Sequence, residues 1–262
     1  MDIAVRDGLV QVETALPTFV SAGLDARGLA IEGVVRSSWE YLATLLEARP
    51  EIQVLVLSEA DWPAKGRVPL FGLPNAGEGT LIVAGVEAGW WSDLATMPDA
   101  ERRPELGPVY GRPDGALSLA AFFDLVAVHE VAHLFCEGNV VFPRFWLGEF
   151  FANLALHAWV AERDGGSMET LTVLPRLAAL GSGEGFEHRS RAAFETFYTA
   201  MGGPNYVWYQ FRLQVEAGAL YDRAGSGAVR RLFEAFRLGD DALAARLAAD
   251  VDPGLADFSL RF

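Results

Sequence analysis

Five consecutive residues, His129-Glu130-Val131-Ala132-His133, have the types and the spacing of a metal-assisted hydrolytic site. Two residues four apart on a helix lie on one face with Cβ atoms about 5–6 Å apart, so the two imidazoles can converge on one divalent ion. Glu130 leans toward a different side, where its carboxylate can take a proton from a water activated by that ion. The flanking Leu125, Val126, Val128, Val131, Ala132, Leu134 and Phe135 are apolar, which predicts a buried helix on which only the site is polar. Burying two histidines and a glutamate without partners is costly, so a bound metal is expected. Ser118 as N-cap and Gly138 as stop would put this segment in the last two turns of its helix.

A catalytic zinc takes three protein ligands and leaves a fourth position to water. Sixteen residues after His133 stands Glu149, in the string PRFWLGEFFANLALHAWV. Here the sequence resembles the gluzincin branch of zinc metallopeptidases, which includes thermolysin, the zinc aminopeptidases and the small peptidase-MA-like or minigluzincin domains. In that group HExxH is followed on the next helix by a ligand Glu, often within a W-L-x-E-G-x-A-like string, and Trp146-Leu147-Gly148-Glu149-Phe150-Phe151-Ala152 is similar. Phe150 departs from the pattern, where a small residue is common.

The resemblance implies that Glu149 is the third ligand of one Zn²⁺ per chain and that Glu130 is the general base. It implies a Tyr at the start of a later helix as oxyanion donor, and the carry-over falls on Tyr206 in GGPNYVWYQFRLQVEAGALY; Tyr209, Tyr198 and His188 are the alternatives. Asn153 stands one turn after Glu149, where the thermolysin-like pattern has a carboxylate that orients a ligand His; an amide can also accept from an imidazole N–H. The implied activity is hydrolysis of peptide bonds in a peptide or protein substrate. Glu149-x-x-Ala152-Asn153 also resembles the E-x-x-A-N string of the ImmA/IrrE group of regulatory zinc peptidases. A third reading keeps the fold and the zinc in a scaffold or interaction protein of low activity.

The elements that must position these residues are legible as periodicity. Apolar residues at helical spacing from Gly28 to Arg49, ended by Pro50, predict a helix. The runs Ile52 to Leu57 and Thr80 to Val86 predict two strands of one sheet. Four prolines between Gly89 and Gly115 predict an irregular connection. Helices follow over Ser118 to Phe135, Arg144 to Arg163, Tyr206 to Tyr221, Ala228 to Phe236 and near Asp241 to Ala249. Strands first and helices second predict an α+β fold: a small N-terminal mixed sheet with a helix, then a mainly helical C-terminal part. The expected division is 1–115 and 116–262, with the metal site in the cleft between. By the resemblance, Thr80 to Gly85 would be the strand along the cleft edge, where a substrate backbone can pair. His157 reads as a structural or surface residue.

Composition narrows the partners. The chain of 262 residues has a net charge of -14 and no basic stripe, which argues against a nucleic-acid partner. A single cysteine, Cys136, forbids an internal disulfide and reads as a small buried hydrophobe. The N-terminus lacks the basic and apolar pattern of a signal peptide, and no apolar run approaches a membrane span, so a soluble cytoplasmic protein is expected.

Overall fold

The computed structural model describes residues 6–138, 144–181, 183–238, 249 and 251. The strands are β1 (Val10–Val12), β2 (Thr18–Val20), β3 (Gln53–Leu57), β4 (Asn75–Gly77) and β5 (Thr80–Ala84). The helices are α1 (Asp25–Leu46), the short turns α2 (Trp62–Lys65), α3 (Trp91–Leu94) and α4 (Gly107–Tyr110), then α5 (Ala120–Cys136), α6 (Phe145–Arg163), α7 (Met168–Ala179), α8 (Arg191–Phe197), α9 (Gly203–Ala224) and α10 (Gly227–Leu238). The fold is α+β, a sheet-bearing N-terminal part followed by a mostly helical part. Two compact units result: the described residues up to Leu94 with Arg112–Glu137, and Ala95–Gly111 with the described residues from Gly138 onward.

In the first unit the strand order is β1-β2-β3-β5-β4. The two central pairs are parallel and the two outer pairs antiparallel. Every residue of β3 and β5 is buried, which is why both read as continuous apolar runs instead of alternating ones. Thr80 to Gly85 was expected to be an edge, but β5 lies between β3 and β4, and the open edge on that side is β4. The hairpin register pairs Gly77 with Thr80 across a two-residue turn. Its central residues, Glu78 and Gly79, have φ of 50° and 69°, as a turn matched to strand twist requires. Glycine is also demanded at Gly28 of α1, where a Cβ would stand 2.5 Å from Val20 Cγ1 of β2.

Helix α5 packs on α1, β4 and β5. The HEVAH helix therefore belongs with the sheet, and the expected boundary at 115/116 does not coincide with the division into units. Ser118 was expected as the N-cap of α5; the cap position falls one residue later, on Leu119, but the Ser118 hydroxyl still accepts from the Ala120 N–H, at 3.4 Å. The Glu87 carboxylate adds to this, accepting from the Leu119 N–H at 3.0 Å and the Ser118 hydroxyl at 2.9 Å while pairing with Arg112. At the other end Glu137 accepts from the N–H groups of Glu78 and Gly79, at 2.7 and 3.0 Å, and so ties the end of α5 to the β4–β5 turn. The chain leaves the helix at Glu137, with φ of -57° and ψ of 126°, and Gly138 follows with φ of 69°. Between the ends, the Arg27 guanidinium of α1 grips both oxygens of Asp124, at 2.5 and 2.8 Å.

In the second unit α6 packs chiefly on α9, and α9 also on α7. Fifteen residues of α6, Trp146 to Val160, are buried, polar Glu149, Asn153 and His157 among them. Helices α7 and α8 were not anticipated. The helix expected near Asp241 to Ala249 lies, but for Ala249, outside the described residues. Among the described residues no helix is long and apolar enough to cross a membrane.

Glu87→Ala should lower the stability of the chain by about 1–2 kcal/mol, because it removes the acceptor of the Leu119 N–H and of the Ser118 hydroxyl together with the partner of Arg112. Urea unfolding measures this as a lower midpoint at unchanged slope. An unchanged midpoint would mean that water caps α5 as well as Glu87 does.

Candidate metal centre

Helical spacing brings the two imidazoles of α5 together as the pattern requires. His133 Nε2 lies 3.1 Å from His129 Nε2, with the rings 4.8 Å apart at centroids and inclined by 72°. His129 is buried at 5% exposure, while His133 and Glu130 are half-buried. One donor atom from each of His129, Glu130 and His133 falls within a group spanning 4.8 Å.

The short contact constrains protonation. Two nitrogens 3.1 Å apart can share one proton but cannot both point one at the other, so at least one Nε2 presents a lone pair. Two nitrogen donors on one tetrahedral zinc, each about 2.0–2.1 Å away, stand about 3.3 Å apart. The observed pair needs only a small side-chain rotation to meet that geometry. The donor set therefore fits a first-row divalent ion.

Glu149 sits on α6 in the second unit, 4% exposed. Its Oε1 accepts from the Tyr198 hydroxyl at 2.6 Å and its Oε2 from the Gln210 side-chain amide at 2.6 Å. Each carboxylate oxygen has two acceptor sites, so ligation is compatible with both bonds. The same Gln210 nitrogen donates to the Tyr206 hydroxyl at 2.7 Å, so Glu149 and Tyr206 are joined through one amide. Asn153, expected to orient an imidazole, donates to Gln210 Oε1 at 3.0 Å. A glutamine on α9 is what its amide reaches from α6.

The start of α6 is held by α8. Glu195 accepts from the Trp146 N–H at 3.0 Å, and Ser190 caps α8 by accepting from the Ala193 N–H at 3.1 Å. Buried Arg191 lies over the Trp146 ring, 4.7 Å from its centroid, and pairs with Glu216 at 2.5 Å. Burial pulls the Arg191 guanidinium down and pushes the Glu216 carboxyl up, each opposed by the charge of the other. Phe150, the departure from the family string, is fully buried.

The remaining candidates have other partners. Tyr209 is fully buried, donates to the Ser190 carbonyl at 2.8 Å and is pushed up to about 12 by burial, which marks a core tyrosine. Tyr198 spends its hydroxyl on Glu149. His188 stacks on Phe197 with centroids 4.2 Å apart and is fixed through its backbone to Asn205. Burial raises the Cys136 thiol, which keeps it protonated and inert. Gln210 and Tyr198 were missed as partners of Glu149; the one signal for Gln210 was its place four residues after Tyr206 on a helix.

No protein-family model, curated protein or solved structure matches this chain.

His157, also on α6, is buried against α9: its Nδ1 lies 3.3 Å from Gln214 Nε2, and a Cβ at Gly218 would fall 2.9 Å from its Cε1. Burial lowers its pKa from 6.5, opposed by Asp222. The unfolded chain then binds a proton that the folded chain refuses, so this contribution to stability is complete above about pH 6.5 and is lost as pH falls through the lowered value. Urea unfolding of metal-free protein from about pH 7.5 to pH 5 should show stability falling with pH, with a shallower fall in His157→Gln. Equal slopes in the two proteins would refute the assignment.

Proposed function

We propose that the chain is a zinc-dependent hydrolase of the peptidase type, with His129, His133 and Glu149 as metal ligands and Glu130 as general base. The observation that carries this reading is the 3.1 Å approach of the two Nε2 atoms on α5 with the Glu130 carboxylate in the same 4.8 Å group. The likeness of residues 128–153 to the gluzincin pattern supports it, and supports Glu149 as the third ligand.

Zinc there would supply a Lewis acid and a water of lowered pKa. The two imidazoles would hold it through Nε2, the nitrogens that face each other. Glu130, next to His129 in sequence but turned by the helix to another side, accepts the proton of the attacking water on its carboxylate and returns it to the leaving amine. The Tyr206 hydroxyl, held by Gln210, donates to the oxygen that gains charge as the carbonyl is attacked. The substrate is a peptide or protein, and neither nucleic acid nor membrane is invoked.

Zinc content and turnover of a mixed fluorogenic peptide library, measured together, test this assignment. Glu130→Gln should keep one zinc per chain and lose about 10²- to 10⁴-fold in kcat, because an amide cannot accept the proton. Tyr206→Phe should lower kcat by about 10²-fold with zinc content and KM little changed. A near wild-type rate in Glu130→Gln would remove it as the base. Stoichiometric zinc without turnover of any peptide in the unmutated chain would contradict the hydrolase and favour a zinc-bearing scaffold.

A further inference from the structure

A buried carboxylate can adopt several rotamers, and what holds Glu149 in one of them is a chain of side-chain amides. Gln210 Oε1 accepts from Asn153 Nδ2 at 3.0 Å. That bond turns the other end of the Gln210 amide, Nε2, toward Glu149 Oε2, 2.6 Å away. An amide nitrogen carries two hydrogens, and the second goes to the Tyr206 hydroxyl at 2.7 Å. Since a carboxylate only accepts, the amide can take no other orientation there.

We infer that Gln210 is a positioning residue, which through this single nitrogen fixes the Glu149 carboxylate for metal binding and sets the Tyr206 hydroxyl at a constant place beside it. The inference rests on the proposed reading of Glu149 as the third ligand. Gln210 would touch neither metal nor substrate. Its effect comes from holding in advance a ligand that would otherwise have to be ordered at the moment of binding, and outer partners of this kind change metal affinity by about 10- to 100-fold. The Tyr198 hydroxyl on Oε1 restrains the other oxygen, so the carboxylate plane is defined from both sides. Asn153, one turn after Glu149 on α6, supports the amide in its turn.

The test uses the full chain and zinc alone, with affinity read by competition against a chromogenic chelator, for the unmutated protein, Gln210→Leu, Glu149→Gln and the double variant. Urea unfolding of each metal-free protein gives the folded fraction, so that affinity is expressed per folded chain. Gln210→Leu should bind zinc about 10-fold or more weakly. The double variant should bind no more weakly than Glu149→Gln alone, because the amide acts through the carboxylate. Unchanged affinity in folded Gln210→Leu, or the same loss with and without Glu149, would overturn the positioning role. Gln210→Met, unbranched and without a donor, serves the same purpose should the Leu variant not fold. An unmutated chain that takes up no zinc would overturn the metal reading itself, and that outcome is distinguishable because it arises before any variant is compared.

Discussion

Helix α5 brings two imidazoles and a carboxylate onto a helix that is otherwise buried and apolar, and a polar group withdrawn from water must find a partner or cost its full desolvation. The first unit is arranged around that requirement. His129 meets it by facing His133, Glu87 accepts from the Leu119 N–H at the start of the helix, and Glu137 at its end satisfies the N–H groups of the β4–β5 turn. Arg27 adds a third fixed point through Asp124. These contacts draw on α1, the segment after β5 and the β4–β5 turn, so the placing of the two imidazoles is set by the sheet and its connections. The left-handed backbone at Glu78 and Gly79 belongs to the same arrangement, since it aims both turn amides at Glu137.

In the second unit Glu149 is nine-tenths buried, and a tyrosine and a glutamine donate to its oxygens. Arg191 and Glu216 form an ion pair that joins α8 to α9, and the same guanidinium lies over Trp146 at the start of α6.

Much of this was legible in the sequence, and unevenly so. The α+β order, the long helices and the two central strands follow from apolar periodicity, which tertiary packing reinforces. The imidazole pair follows from helical spacing alone. Strands β1, β2 and β4, of three residues each, were missed because three residues carry no period. For the same reason β5 was mistaken for an edge: β4, which covers it, could not be seen. Ser118 was a reasonable cap by type, but the capping carboxylate lies 32 residues before Leu119, and no local pattern announces such a contact. Gln210 failed to stand out likewise, being an ordinary polar helix residue until α6 and α9 are packed together, and without it Asn153 could not be given its glutamine partner.

The proposed function requires one ion to take ligands from both α5 and α6. The direct measurement is anomalous diffraction at the zinc edge from crystals of the full chain grown with zinc. A single peak about 2.0–2.2 Å from His129 Nε2, His133 Nε2 and a Glu149 oxygen is the predicted result. The absence of a peak between the two imidazoles, or a peak there with Glu149 still turned only to Tyr198 and Gln210, would contradict it.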